Sequence, residues 1–351
     1  MKYNNRIINK LKSQIITQIN EFEYSQDIIN KMYIEYKTNI RLKESGTILE
    51  IKNNEIIIVQ MCSKEIKRTK EIINLISKSI KYIKKKKKNF PNTKLFLFIS
   101  DIYAYWNQEL PVFVIAKPSN KKGILIPDNT FNSHLNINNI KEKWVITKKR
   151  FIKKNILFNK KKNVLFFIGG NTDKGRQNIR KGLYNLYKDK KISRTKLPLQ
   201  IEIAHNRDLT EFTKFKYLLN LPGNQPWSYR FKYLFLAKSL VINIDVKQKF
   251  GQNYFNDTWI NFYNIIFEKN VDYVNLEYYW IENNDNYNNY QFKKLIKNLK
   301  FVYKYYKNNQ EKACQIANSG FNKILNITDD LIYEYIYLLT YYYSIKINKF
   351  L

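Results

Sequence analysis

Between two apolar segments, the stretch FKYLLNLPGNQPWSYRFKYLFLAKSLV from Phe215 to Val241 carries a loop punctuated by glycine and proline that ends on Ser228 and Arg230. Residues of these types at this spacing suit an anion. Tyr217 to Leu221 reads as a short buried strand, Pro222-Gly223-Asn224 breaks it, and Ser228-Tyr229-Arg230-Phe231-Lys232 opens an amphipathic helix running through Leu236 to Ser239. A helix start presents unpaired N–H groups and a partial positive charge, and the Arg230 guanidinium adds a planar fork that matches phosphate oxygens. Lys232, two residues on, falls on another helix face and is expected to be solvated. A glycine pair, Gly169-Gly170, follows the apolar run Val164 to Ile168. It is neither a P-loop nor a dinucleotide fingerprint, so alone it is a weak signal. Asp101 closes a third apolar run, Leu95 to Ser100. An Asp there either caps the following turn or stands at the carboxyl end of a strand, where catalytic groups gather in open α/β sheets.

These side chains need strands and helices to hold them, and the periodicity supplies both. Residues 47–60 alternate as two short strands around Lys52-Asn53-Asn54, and residues 64–85 have the apolar spacing of a helix through Ile66, Ile72, Ile73, Leu75, Ile76, Ile80 and Ile83. With the strand at residues 95–100, that order predicts a βαβ unit of a parallel sheet. A lysine-rich linker, residues 148–162, leads to a second set: strand 164–168, helix 173–187, strand 199–204, helix 209–213, strand 216–221, the helix from Arg230, and strand 240–244. Three helices follow over residues 291–308, 309–325 and 328–347, the last capped by Thr328 with Asp329 and Asp330 at its positive start. No internal repeat is seen. Periodicity by itself supports an α/β class and nothing finer.

At 351 residues and 44% hydrophobic content the chain can bury two cores of about 150 residues each. That content excludes full disorder. A net charge of +33, from 62 Lys plus Arg against 29 Asp plus Glu, would suggest a nucleic-acid partner. The lysines are scattered along the whole chain, however, and only Lys84 to Lys88 forms a dense run, best read as a solvated loop. Nucleic acid is therefore disfavoured as a partner, while peripheral contact with an anionic membrane stays open. Cys62 and Cys314 are far apart and lack metal-ligand spacing, so no structural disulfide is expected and a reducing compartment is favoured. The first 22 residues have helical apolar spacing broken by Lys and Gln, an amphipathic helix and not a signal peptide, so a cytoplasmic location is expected. Residues 331–345 are apolar but include Glu334 and fall short of the roughly 20 residues that span a bilayer, so a buried helix is expected there.

Three blocks in order resemble glycosyltransferase family 90, the Rumi-like protein O-glucosyltransferase and capsule xylosyltransferase group. The first is Leu95 to Lys117 with Ile124-Leu125-Ile126-Pro127-Asp128 and Phe131, resembling a strand ending in Asp followed by L/I-P-V-F and I-x-x-P. The second is VLFFIGGNTDKGR from Val164 to Arg176, resembling F-x-G-x-R-T-x-x-x-R, with Phe167, Gly169, Thr172 and Arg176 in register and Asn171 in place of the first Arg. In the third, Lys216, Tyr217, Gly223, Ser228, Arg230, Lys232, Leu234, Ser239 and Val241 follow the donor-site signature, with one extra residue between Gly223 and Ser228. Farther on, Trp259 to Tyr263 and Val271 to Val274 resemble W-x-E-F-F and V-H-Y-I/V, with Asn261 and Asp272 replacing the Glu and the His. The likeness extends over about residues 40–345.

The resemblance implies a GT-B fold: two Rossmann-like doubly wound lobes with a cleft between them and a helical C-terminal tail. Residues 1–150 would form the acceptor-side lobe, 151–310 the nucleotide-sugar donor lobe, and 311–351 helices packing back across both. It implies inverting transfer of a hexose or pentose from a UDP-sugar co-substrate to a glycan, glycolipid or protein hydroxyl. Asp101 would be the general base, and Arg230 would hold the diphosphate. Ser228 and the backbone of Gln225, Pro226, Trp227 and Tyr229 would contact the diphosphate or the uridine, facing Gly169, Gly170, Thr172 and Arg176. No Asp-x-Asp triplet occurs and the two histidines, His134 and His205, are isolated, so no metal and no further cofactor is expected. Two other readings stand beside it: a basic nucleic-acid-binding protein, and an inactive UDP-sugar-binding pseudoenzyme of the same fold.

Overall fold

The computed structural model describes residues 2–100, 109–135, 141–170, 179–188, 197–204, 208–223, 228–249, 259–281 and 283–351. Its chain forms two compact units, one of Met1–His134, Ile260–Ile266 and Asn326–Leu351, the other of Leu135–Trp259 and Phe267–Leu325. Among the described residues no helix is long and apolar enough to cross a membrane, and both cysteines are free thiols.

In the first unit, helix α1 (Lys2–Asn20) buries Leu11, Ile15 and Ile19, the stripe that its helical spacing predicts. Helix α2 (Gln26–Thr38) starts at Ser25, whose hydroxyl accepts from the Ile28 N–H, and α3 (Ile40–Ser45) feeds strand β1 (Gly46–Lys52). Asn53 and Asn54 then adopt φ of 53° and 66°, the left-handed values of a tight hairpin, and turn the chain into β2 (Glu55–Gln60). Helix α4 (Ile66–Lys85) leads to β3 (Thr93–Phe98), and β4 (Phe113–Val114) and β5 (Ile124–Leu125) complete the sheet in the order β2-β1-β3-β4-β5.

A parallel βαβ unit was the expectation here, and the sheet is mixed. Strand β1 lies between β2 and β3 and runs antiparallel to both, whereas β3, β4 and β5 are mutually parallel. Hairpin pairing is local, so β1 takes its place beside β2 before the α4 crossover returns the chain. The interior place goes to the strand that buries Ile48, Leu49 and Ile51, while β2 leaves Ile57, Ile58 and Val59 about half exposed at the edge. The C-terminal helix (Asp329–Ile347) starts at Thr328, whose hydroxyl accepts from the Leu331 N–H. It docks through Tyr335, whose hydroxyl donates to the Leu125 carbonyl at 2.7 Å, and through Tyr343, edge-on to Phe113 at 4.8 Å. Burial makes it a core helix, as its composition predicts.

The second unit is built on a wholly parallel sheet of β6 (Lys162–Gly169), β7 (Leu199–Ile203), β8 (Phe215–Asn220), β9 (Leu240–Lys249) and β10 (Val274–Ile281). Its order, β7-β6-β8-β9-β10, is the 2-1-3-4-5 order of a doubly wound sheet. Leu165, Phe167, Tyr217, Leu219, Ile242 and Ile244 point to one face, where Ile179 and Leu183 of α6 (Ile179–Lys188) and Leu295 and Leu299 of the helix Asp285–Asn308 join the core. A row of amides fixes strand register: Asn220 Nδ2 donates to Asn243 Oδ1 at 2.6 Å, Asn243 Nδ2 to Asn275 Oδ1 at 2.8 Å, and Asn275 Nδ2 to Asp245 Oδ2 at 3.2 Å. Asp245 is ion-paired with Lys269, so the acceptor at that end sets the direction of every amide in the row.

The lysine-rich segment expected as a linker is folded. Residues 144–154 form helix α5 (Trp144–Lys154), because Trp144, Thr147 and Phe151 fall on one buried face. Lys161 also turns inward and is 3% exposed. Its ammonium donates to the Thr213 carbonyl at 2.8 Å, the Ala237 carbonyl at 2.5 Å and Ser239 Oγ at 3.1 Å. Burial, assisted by the charge of Lys238, pushes it down to about 7.

Candidate functional site

In an open parallel sheet, ligands bind beyond the carboxyl ends of the strands, where the strand order reverses. That point in the second unit lies between β6 and β8, the first and third strands of the set. Strand β6 ends on Gly169 with Gly170 next, and β8 ends on Asn220 with Leu221-Pro222-Gly223 next. Both glycine-bearing loops singled out in the sequence therefore leave neighbouring strand ends.

Arg230 joins the two. It precedes the short helix α7 (Phe231–Leu236), is 9% exposed, and carries its guanidinium across to the end of β6. There its Cζ lies 4.9 Å from the centre of the Phe167 ring, close enough that a Cβ on Gly169 would sit 2.5 Å from Arg230 Nη2. Glycine at position 169 thus leaves room for the guanidinium in this position, which a Cβ would displace, and it is not called for by backbone conformation, since its φ lies outside the left-handed region. Ser228 is buried with it, and Ser228 Oγ accepts from the Arg230 N–H at 3.3 Å, so the hydroxyl fixes the turn from which the arginine springs. Tyr229 is 47% exposed, edge-on to Tyr233.

The α7 segment corrects two expectations. Its six residues, Phe231 to Leu236, are all buried, so the helix has no polar face. Lys232 is fully buried, with its ammonium 5.1 Å from the Tyr233 ring and 6.0 Å from that of Tyr229. Aromatic packing around the short helix leaves no side open to water, and the lysine's positive charge is held against ring faces.

A residue that the sequence reading passed over completes the cluster. Arg180, on the first turn of α6, is 1% exposed and has its Cζ 5.1 Å from the centre of the same Phe167 ring. Its Nη1 donates to the Gly170 carbonyl at 2.5 Å and its Nη2 to the Leu221 carbonyl at 3.4 Å. The phase of α6 carried a signal for it: with Ile179 and Leu183 inward, Arg180 lies on the core-facing side of the helix. Two buried guanidiniums thus share one phenyl ring, no more than about 10 Å apart, at the end of the sheet where an anion would enter.

Gly169, Gly170, Ser228, Tyr229 and Arg230 are therefore brought to one sheet end within this unit. Asp101, Asn171, Thr172, Arg176, His205, Gln225, Pro226 and Trp227 lie outside the described residues. Comparison with known families adds a second, independent line. The family model described as glycosyl transferase family 90 matches residues 36–349, nearly the whole chain. The chain belongs to glycosyl transferase family 90. No curated protein matches it.

A family-90 glycosyltransferase needs a sugar donor and an acceptor, and two departures from the family's pattern have structural explanations. Asp272, at the position of the His, is 1% exposed and is held within the second unit. It accepts from Ser319 Oγ at 2.6 Å, Lys323 Nζ at 2.5 Å and the Glu268 N–H at 2.7 Å, so it ties the helix Gln310–Asn326 to the loop before β10. Asn261, at the position of the Glu, caps the single turn Phe262–Ile265 in a capping box with Asn264. Asp272 is thus committed to a tertiary contact within the second unit and Asn261 to a local cap.

Proposed function

We propose that this family-90 enzyme transfers a hexose or pentose from a UDP-sugar to an acceptor hydroxyl with inversion, in a GT-B type of fold with a donor lobe built on the parallel sheet. The observation that carries the reading is the buried Arg230 guanidinium laid over Gly169 at the switch point of that sheet. Departure of UDP leaves negative charge on the β-phosphate, and a fixed cation stabilises that charge more as it develops than in the ground state. Arg230 would donate to the diphosphate oxygens, with Ser228 and the backbone of the 225–229 turn against the diphosphate or uridine, and the 169–170 turn, Thr172 and Arg176 opposite. Positive charge of this kind does the work that a divalent ion does elsewhere, which makes the reaction metal-independent in this reading. Asp101 would take the proton of the acceptor hydroxyl as that oxygen attacks the anomeric carbon and the carbon–phosphate oxygen bond breaks.

Calorimetric titration with UDP and a transfer assay over a panel of UDP-sugars test the reading. Arg230→Ala is expected to weaken UDP binding by about 10- to 150-fold, the range of a hydrogen bond to a charged group. Asp101→Asn should bind UDP as the wild type does and transfer nothing. Retained transfer by Asp101→Asn would remove the base from the scheme. Tight UDP binding with no turnover on any acceptor would identify the pseudoenzyme instead.

A further inference from the structure

The carboxyl end of a parallel sheet is ambivalent toward anions, because the last carbonyl of each strand points its lone pairs out of the sheet at the place where the ligand arrives. In the second unit three carbonyls of this rim each have a donor on them. The Gly169 carbonyl accepts from the Ala204 N–H at 2.9 Å. The Gly170 and Leu221 carbonyls, on loops leaving different strands, both accept from Arg180. One guanidinium therefore turns two oxygens of the rim away from an incoming phosphate, and it fixes the distance between the two loops. It also lies against the Phe167 ring on which Arg230 rests, so a shift of that ring would change the contacts of both cations.

We propose that Arg180 is a positioning residue for the diphosphate: it closes the Gly170 and Leu221 carbonyls and holds Phe167 where Arg230 needs it. This rests on the reading of Arg230 given above. The role requires the planar fork and not charge alone, because an ammonium at the end of a lysine stem cannot reach two carbonyls in the same fixed geometry while lying against a ring.

The test is calorimetric titration of the wild type, Arg180→Lys, Arg180→Met, Arg230→Ala and the Arg180→Lys/Arg230→Ala double variant with UDP and with UMP, alongside thermal melts. Both Arg180 variants should bind UDP at least about tenfold more weakly, with UMP affinity changed by less than about twofold. A general loosening of the unit would lower both ligands together and would overturn the proposal. The double variant should lose less UDP affinity than the two single losses combined, because the part of the Arg180 effect that runs through Phe167 and Arg230 is already gone in Arg230→Ala while the part that runs through the two carbonyls remains; fully additive losses would refute the route through Arg230. Wild-type UDP affinity in Arg180→Lys would show that charge alone suffices and would also overturn it. Loss of UDP binding in Arg230→Ala with unchanged Arg180 variants would leave the proposed function standing and sink only this inference. A wild type that does not bind UDP would sink both. Should Arg180→Met fail to fold, Arg180→Lys, which keeps the charge and most of the stem, carries the test.

Discussion

Adding one methyl group at Gly169 gives the sharpest perturbation of the site, because it acts on Arg230 without touching it chemically. In Gly169→Ala the new Cβ would lie 2.5 Å from Arg230 Nη2, 2.9 Å from its Cζ and 2.9 Å from Cζ of Phe167. Ordinary contact begins near 3.5 Å, so the guanidinium must withdraw by about 1 Å. A hydrogen bond of about 2.8 Å stretched by that amount is lost, and hydrogen bonds to charged groups contribute about 1.5–3 kcal/mol. UDP affinity should therefore fall about 10- to 150-fold, the same range as for Arg230→Ala. Stability should change little. Alanine relieves about 0.5–1 kcal/mol of glycine backbone entropy in a strand, which offsets the crowding of the Phe167 ring. The assay is calorimetric titration with UDP on wild type, Gly169→Ala, Arg230→Ala and the double variant, with melting curves as control. The double variant should match Arg230→Ala, since the methyl has nothing left to displace. Wild-type UDP affinity in a folded Gly169→Ala would refute the reasoning, for it would mean either that the guanidinium moves at no loss or that the diphosphate does not use it.

Further expectations concern charges buried away from the ligand. Lys161 titrates at about 7 in the folded chain and near 10.5 unfolded, so its burial penalty is fully present below about pH 7 and is relieved as pH rises toward 10.5. Lys161→Met should accordingly flatten the rise in stability between pH 7 and 10, read as the difference between wild-type and variant denaturant midpoints; an unchanged difference across that window would contradict the burial argument. Asp272→His restores the family's residue but strands Lys323 and the Glu268 N–H, and should lower stability by about 2–3 kcal/mol without strengthening UDP binding. Tighter UDP binding by Asp272→His at wild-type stability would show that this position still serves the donor.

Most strands and helices were legible because burial imposes period on sequence. Residues 164–168 and 216–221 predict β6 and β8 as continuous apolar runs, the signature of strands covered on both faces, and the Thr328 cap with its two aspartates marks the start of the last helix. Pairing was less accessible. Two strands, a helix and a strand fit a simple parallel unit as well as the mixed sheet, and only the placement of β1 between its neighbours separates them. Segments dense in lysine misled for a related reason: residues 148–162 read as a linker because their lysines outnumber their apolar residues, although Trp144, Thr147 and Phe151 decide which way the helix over residues 144–154 faces.

Within the site, the residue types were fixed by the sequence and their roles by the fold. Gly169, Ser228 and Arg230 could be named from spacing and family resemblance, since a chain must spend a glycine or a guanidinium where close approach or anion binding demands it. That Gly169 is small to let Arg230 pass, that Lys232 is buried among rings, and that Arg180 closes two carbonyls from different strands could not be named in advance. The first and the last depend on atoms 10 to 61 positions apart in the chain meeting at one sheet edge. Local sequence specifies which face of an element is apolar; which charged group the apolar face carries inward, and against what, is decided only when the strands have taken their order.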